Sequence, residues 1–469
     1  MGIAIILLAL FLLIVLAYRG GSILVLSPLL AVGVAAASGE PVLASYTQTF
    51  MNNTGGFIVT YFPLFLLGAI FGKLMEVSGA AAVIGEVSVR ILGEGRAMLA
   101  IILSCAVLTY GGVSLFVVAF AVYPIAAAVF RRADLPARLI PGTIALGAFT
   151  FTMTALPGTP AIQNAIPMPY FGTTPFAAPG LGIVAALVML ALGYAWLKHR
   201  SISALRAGEG FDGRRPVGVG ADVVRDAPQL PEGDTGQAGR QISPPLALLP
   251  IVLVIVTNFL LSKWIFPAAD LSYLAEPRWD GLRPQDVIGV WSIIISLTVA
   301  CLLVLVLNAR QGGLRGAVSE GAHASLMPIF NTASLVGFGA VIAALPAFAA
   351  IRDALMQLSG GNPLISLSIA VNILAGITGS ASGGMSIALD AMGDQYLALG
   401  RDAGIPPEFL HRVTSVATGG LDALPHNGAV VTLLGICGMT HAKSYLDIFV
   451  VAVAGPLVAL VAIITLASL

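Results

Sequence analysis

Residues 422 to 428 read Asp-Ala-Leu-Pro-His-Asn-Gly. The carboxylate of Asp422 and the imidazole of His426 can take up and release protons, and the carboxamide of Asn427 can both donate to and accept from a small polar ligand. They stand in a chain of 469 residues that is 58% hydrophobic and 10% charged, where an ordinary soluble domain carries about 25% charged residues. An ionisable side chain at membrane depth costs at least about 2.5 kcal/mol, so its default meaning is functional. Asp422, His426 and Asp390, the last in another apolar stretch, are therefore the candidate proton-coupling groups. A buried helix cap is the competing account of Asp422. A structural hydrogen bond serves His426 as well as proton transfer does, Asp390 could equally face water, and His323 reads as interfacial.

The elements that position these residues are membrane helices. Uncharged runs long enough to cross a bilayer, about 20 residues each, recur from end to end. Net charge is zero and no basic stripe appears, which removes nucleic acid as a partner. Cys105, Cys301 and Cys437 lie in apolar segments without metal-ligand spacing, so no metal site and no cofactor is expected. The apolar N-terminus has Arg19 after its core rather than before it, and reads as a retained first helix, not a secretory signal.

Apolar runs place helices near 3–17, 22–38 and 57–75, then two ambiguous regions at 97–130 and 139–170, then 179–197. A second set follows at 245–266, 287–307 and 323–345, with ambiguous regions at 364–399 and 408–440, then 447–468. KLMEVSG (Lys73 to Gly79) is answered by ALMQLSG (Ala354 to Gly360), and TALPGTPA (Thr154 to Ala161) by DALPHNGA (Asp422 to Ala429), in the same order. That is an internal duplication: 1–198 and 245–469 are the two repeats. Residues 199–244, rich in Gly, Pro and charge, read as a disordered linker. Lys and Arg gather at Arg19, Arg90, Arg96, Arg131, Arg132, Arg138, from Lys198 into the linker, and at Arg310, Arg315 and Lys443, marking a cytoplasmic side. The N-terminus is then outside, the linker is cytoplasmic, and the second repeat is inverted relative to the first, an arrangement common in secondary transporters.

As one helix, 97–130 would be about 50 Å long at 1.5 Å per residue, against about 30 Å of hydrocarbon. With LTYGGVS at its middle and basic residues beyond both ends, it reads as a re-entrant hairpin with a glycine turn. Its partner, 364–399, turns at TGSASGG. A kinked ordinary helix is the alternative. Segment 139–170 contains Pro157, Pro160, Pro167 and Pro169, and 408–440 contains Gly419, Gly420, Pro425 and Gly428; both must open in mid-membrane, where freed backbone groups need partners.

Two hairpin tips and two broken helices bring several half-helix ends toward the midplane, and helix N-termini favour anions. No Lys or Arg lies at either tip or around either opening. A carboxylate substrate would then be held by dipoles, hydroxyls and amides. The candidate binding residues are Thr109, Tyr110, Gly111, Gly112 and Ser114 at the first tip, and Thr154, Gly158 and Thr159 at the first opening. Thr378, Gly379, Ser380, Ser382 and Gly383 at the second tip, with Asn427 at the second opening, complete the set.

The stretch TGGLDALPHNGAVVTLLGICGMTHAKSYLDI, with TGSASGG upstream, resembles the gluconate permease family of the ion transporter superfamily. The resemblance implies a proton-coupled importer of sugar acids such as gluconate, or of short hydroxy acids such as 3-hydroxybutyrate. It also implies a homodimer in a bacterial inner membrane, with a scaffold carrying a transport domain that moves as an elevator. The Ser-Asn-Thr hairpin-tip motif of the superfamily's sodium-coupled dicarboxylate carriers is absent at both tips, so protons are expected ahead of sodium. The rival classes are a channel and an intramembrane serine hydrolase using Ser382 and His426. An enzyme gives no reason for an inverted duplication.

Overall fold

The computed structural model describes residues 2–19, 21–93, 96–214, 242–279, 281–310, 312–357, 362–425 and 427–469. Among them seven helices are long and apolar enough to cross a membrane: Val42–Val77, Leu115–Arg132, Pro179–Arg206, Pro244–Ala268, Pro284–Leu307, Leu314–Ala343 and His441–Ala467. Shorter apolar helices include Ile23–Ala37, Ala97–Tyr110 and Pro363–Thr378.

The element order repeats. Three helices, a short amphipathic helix, a helical hairpin, a broken segment and a closing helix occur in the first half and again, in that order, in the second. The halves interlock reciprocally. Helix Pro244–Leu260 packs on Ala80–Leu92 of the first half, while Gly2–Tyr18 packs on Pro346–Gln357 of the second.

The two longest helices run against each other through small residues. A Cβ at Gly321 would stand 2.7 Å from Ile70 Cα, and one at Gly337 would stand 2.7 Å from the Phe50 carbonyl oxygen. The backbones therefore touch, the packing that small residues permit where water supplies no drive between apolar helices.

Three features differ from the sequence expectation. The third helix begins at Val42 rather than 57, because polar residues such as Asn52, Asn53 and Thr54 continue it through a π-turn at Ser45–Phe50. The amphipathic helices Ala80–Leu92 and Pro346–Gln357, which follow the third helix in each half, escape a search for uninterrupted apolar runs. The closing helix of the first half continues to Arg206, and residues 209–210 and 213–214 pair as a two-stranded hairpin. Ordered chain thus reaches into the segment 199–244. Residues 215–241 lie outside the described residues.

This small hairpin is docked. Glu209 takes Arg138 Nε at 2.7 Å and Nη2 at 3.0 Å, and the Arg131 guanidinium lies 4.8 Å above the Phe211 ring. Beside it the fully buried Asp447 accepts from Trp196 Nε1 and Arg200 Nε, both at 3.0 Å, and from Arg138 Nη1 at 3.4 Å. The Glu209 hydrogen bond, with the charges of Glu209 and Asp447, holds the Arg138 pKa above its ordinary value.

Candidate functional site

Both hairpins close through the same backbone device. At the first tip Gly112 has φ +96°, Gly112 N–H donates to Thr109 O at 3.0 Å, and Val113 N–H donates to Leu108 O at 3.1 Å. At the second, Gly379 has φ +59° and Ser380 N–H reaches back to Ala375 O at 3.3 Å. This left-handed glycine ending satisfies the last helical carbonyls and turns the chain. The next arm then starts at Ser114 or at Ser380, whose hydroxyl caps Gly383 N–H at 3.1 Å.

The first broken segment is helical over Ile140–Ala148, Phe151–Thr154, Ile162–Ala165 and Pro167–Phe171. Side chains from several elements satisfy the carbonyls it frees. Tyr110 Oη donates to Pro157 O at 2.7 Å, Asn258 Nδ2 to Gly158 O at 3.1 Å, and Asn164 Nδ2 to Thr159 O and Pro175 O, each at 3.0 Å. From the second broken segment, Ser415 Oγ bonds Thr154 O at 2.8 Å and Gln163 O at 3.0 Å, and Arg412 Nη1 bonds Thr154 O at 3.3 Å. A buried backbone with orphaned groups would not persist, and this accounting shows how the opening is held.

The second segment is helical over Pro407–Leu421 and Gly428–Ile436. Asn427 spans the gap. Its Oδ1 caps Ala429 N–H and Val430 N–H at 2.6 and 3.1 Å, while its Nδ2 donates to Asp422 O at 2.8 Å and to Gly379 O at 3.0 Å.

Between these parts lies a cavity of about 620 Å³. Its wall includes Thr109, Gly112 and Ser114 of the first tip, Thr154 of the first opening, Gly379, Ser380 and Ser382 of the second tip, and Asp422 and Asn427 of the second opening. Other expected residues sit behind the wall. Tyr110 braces Pro157, Gly111 packs on Ile251, and Gly158 packs on Phe176. Thr159 is buried and accepts from Ala161 N–H, Thr378 bonds carbonyls of its own turn, and Gly383 packs on Leu335. Asp390 does not reach the cavity; its carboxylate accepts from the Tyr170 hydroxyl on the first broken segment. His426 lies outside the described residues.

The two longest helices supply wall residues beyond the tips and openings: Lys73 on one, and Ser325, Asn331 and Thr332 on the other. Thr332 Oγ1 meets Ser382 Oγ at 3.3 Å. Thr109 Oγ1, Gln163 Oε1 and Asn331 Oδ1 are buried without a hydrogen-bond partner among the described residues, and all three residues belong to the cavity's lining. Among the described lining residues Asp422 is the one acid and Lys73 the one base, and Lys73 is held by Glu76 at 3.0 Å and Glu320 at 3.2 Å. Among the described residues no three His, Cys, Asp or Glu side chains gather as a metal site.

Both hairpins and both broken segments thus contribute to the wall of one cavity, and comparison with known proteins points to transport. No protein-family model matches the chain. Over 458 residues, covering 96% of this chain and 96% of the relative, it is 44% identical to the protein named uncharacterized transporter YxjC of Bacillus subtilis (strain 168). The chain belongs to that transporter's family. Its fold is similar to that of the Alcanivorax borkumensis YdaH transporter, described as having an unusual topology (TM-score 0.57, 17% identity, 95% of this chain and 96% of that one). It is similar also to Neisseria gonorrhoeae MtrF, described as illuminating a class of antimetabolite efflux pumps (TM-score 0.53, 14% identity, 90% and 83%). At those identities the likeness concerns the fold alone. The transporter is thus a multi-pass membrane protein, and these matches do not extend to the gluconate permease family.

Proposed function

We propose that this transporter is a secondary active carrier that moves a small organic anion, a sugar acid or short hydroxy acid, in symport with protons. One observation carries the reading: residues of both hairpin tips and both helix openings line one cavity, whose single described acid, Asp422, lies at an opening. A cavity of this volume suits a small solute. Hydroxyls at Thr109, Ser114, Ser380 and Ser382 supply neutral donors for a carboxylate, while Thr154 and Asn427 shape the wall with their own donors spent on backbone oxygens. Asp422 supplies the proton site, with His426 and Asp390 as further candidates. The Tyr170 bond gives Asp390 a role away from the substrate.

The repeated element order supports a duplication, and the Lys and Arg distribution supports inverted halves with the N-terminus outside and the segment after Arg206 in the cytoplasm. The inner membrane rests on the family resemblance alone. The gluconate permease resemblance supports import by an elevator-type homodimer. Ser382 bonds the hydroxyls of Thr332 and Ser380, a setting for ligand contact rather than for a hydrolytic nucleophile.

The test is flux into proteoliposomes of a panel of radiolabelled carboxylates, gluconate and 3-hydroxybutyrate included, under imposed pH or sodium gradients of either direction. Accumulation of a carboxylate driven by a pH gradient supports the reading. Accumulation driven by sodium alone removes proton coupling, gradient-driven extrusion makes the transporter an exporter, and flux that never exceeds equilibrium makes it a channel.

A further inference from the structure

Arg412, at the far end of helix Pro407–Leu421 from the Asp422 opening, is fully buried. Its guanidinium is bound by backbone oxygens: Ala177 O at 3.2 Å from Nε and 2.8 Å from Nη2, Thr154 O at 3.3 Å from Nη1, and Pro175 O at 3.5 Å from Nη2. No carboxylate among the described residues pairs with it. Carbonyl dipoles solvate such a charge without cancelling it.

The neighbouring side chain does not cancel it either. Asn164 uses its amide hydrogens on Thr159 O and Pro175 O, which turns its Oδ1 toward His411 Nε2, 3.1 Å away. Nε2 must then carry a hydrogen, and Nδ1 is left to accept from Thr173 Oγ1 at 2.6 Å. The network is complete with a neutral imidazole, so it adds no negative partner for Arg412.

Thr154 links this buried charge to the cavity, because its backbone oxygen takes Arg412 and the residue itself lines the wall. Asp422 lies on the same wall at the other opening. The cavity is therefore polarised, with a cation behind the first opening and a carboxylate at the second. In a low-dielectric interior that field persists without direct contact.

We propose that Arg412 is the positioning residue for the transported anion: its unpaired charge draws the substrate's carboxylate to the first opening, where Thr109, Thr154 and Gln163 line the cavity. This rests on the organic-anion reading above. Arg412→Gln keeps amide donors and drops the charge, whereas Arg412→Lys keeps the charge and drops the fork. For the carboxylate that wild-type protein moves best in proteoliposomes, Gln should raise KM by at least about tenfold with Vmax less affected, and Lys should restore it to within about threefold. A Gln variant with unchanged KM, or one no worse than Lys, overturns the proposal and leaves Arg412 a brace.

A second measurement needs neither a folded Arg412 variant nor a known substrate. Thr154→Cys is labelled with an anionic sulfonatoethyl or a cationic trimethylammonioethyl methanethiosulfonate, and the ratio of their rates is compared with the ratio for 2-mercaptoethanol. A ratio shifted at least about tenfold toward the anionic reagent supports the unpaired charge. An unshifted ratio overturns it. If wild-type protein moves no carboxylate while the labelling ratio is shifted, the organic-anion reading has failed and the charge behind Thr154 stands.

Discussion

Asn427 Nδ2 donates to the carbonyl oxygen of Gly379 at 3.0 Å, so one hydrogen bond ties the second helix opening to the second hairpin tip. The same side chain caps helix Gly428–Ile436 through its oxygen. Asn427→Asp should keep the cap, since carboxylate and carboxamide cap comparably, whereas Asn427→Ala should cost about 1 kcal/mol of stability. Both variants lose the donor to Gly379, so both should lose most of their uptake. Thermal unfolding and uptake of the two variants check this, and normal uptake by Asn427→Asp would show that the bridge to Gly379 is dispensable.

Gly112 is the turn residue of the first tip, with φ +96° and a Cβ position 2.8 Å from Pro160 Cγ. An L side chain there costs about 1 kcal/mol or more in backbone strain and pushes the tip off the first opening. Gly112→Val should insert at wild-type levels and abolish transport. Gly111 is at φ −72°, and the three atoms nearest a Cβ there all belong to Ile251, so Gly111→Val with Ile251→Ala should recover transport where Gly111→Val alone loses it. Membrane yield and uptake of the three variants read the difference, and equal activity in Gly112→Val would remove the tip from the site.

The interior ion pairs divide the linker into two kinds of sequence. Deleting about half of residues 215–241 should leave uptake intact, because loop closure depends only slowly on length. Asp447 is different: it is fully buried and takes Trp196, Arg200 and Arg138. Asp447→Asn leaves Arg200 without its carboxylate, while Arg138 keeps Glu209, and should cost about 3 kcal/mol of stability. Unfolding in detergent measures both changes, and a deletion that unfolds the protein would give the linker a structural part.

The architecture was legible because membrane helices announce themselves by length and apolarity, and because glycine pairs and proline clusters mark where they turn or break. Both hairpins and both openings fall within the segments that Gly112, Pro157, Gly379 and Pro425 point to. What escaped was pairing across the halves. Arg412 and His411 lie in a polar helix start that resembles an interfacial edge in sequence, and only the fold shows both fully buried against the first opening. Asp390 shows the converse, since a lone acid in an apolar run looks like a cavity group until Tyr170 is seen to occupy it. Asn331 and Thr332 stand in a long apolar helix with nothing local to distinguish cavity from packing.

The second opening is ionisable where the first is not: its sequence has Asp422 and His426 where the first has Thr154 and Gly158, and Asp422 lines the cavity as Thr154 does in the other half. A proton carried by Asp422 would cross with the substrate, and its loss would uncouple rather than block. Asp422→Asn should therefore fail to accumulate substrate under a pH gradient while retaining counterflow exchange, which moves no net proton. The backbone contact from Asn427 goes to the Asp422 carbonyl, not its carboxylate, so that contact survives the substitution and stability should change by less than about 1 kcal/mol. Asp422 stands at the C-terminal end of helix Pro407–Leu421, and Asn427 caps the next helix, so the expected N-cap role falls to Asn427. Were Asp422 only structural, the isosteric Asn would replace it and accumulation would persist. Uptake under a pH gradient and counterflow, measured on the same vesicles, separate the two; full accumulation with an unchanged pH profile would move the proton site to His426 or Asp390.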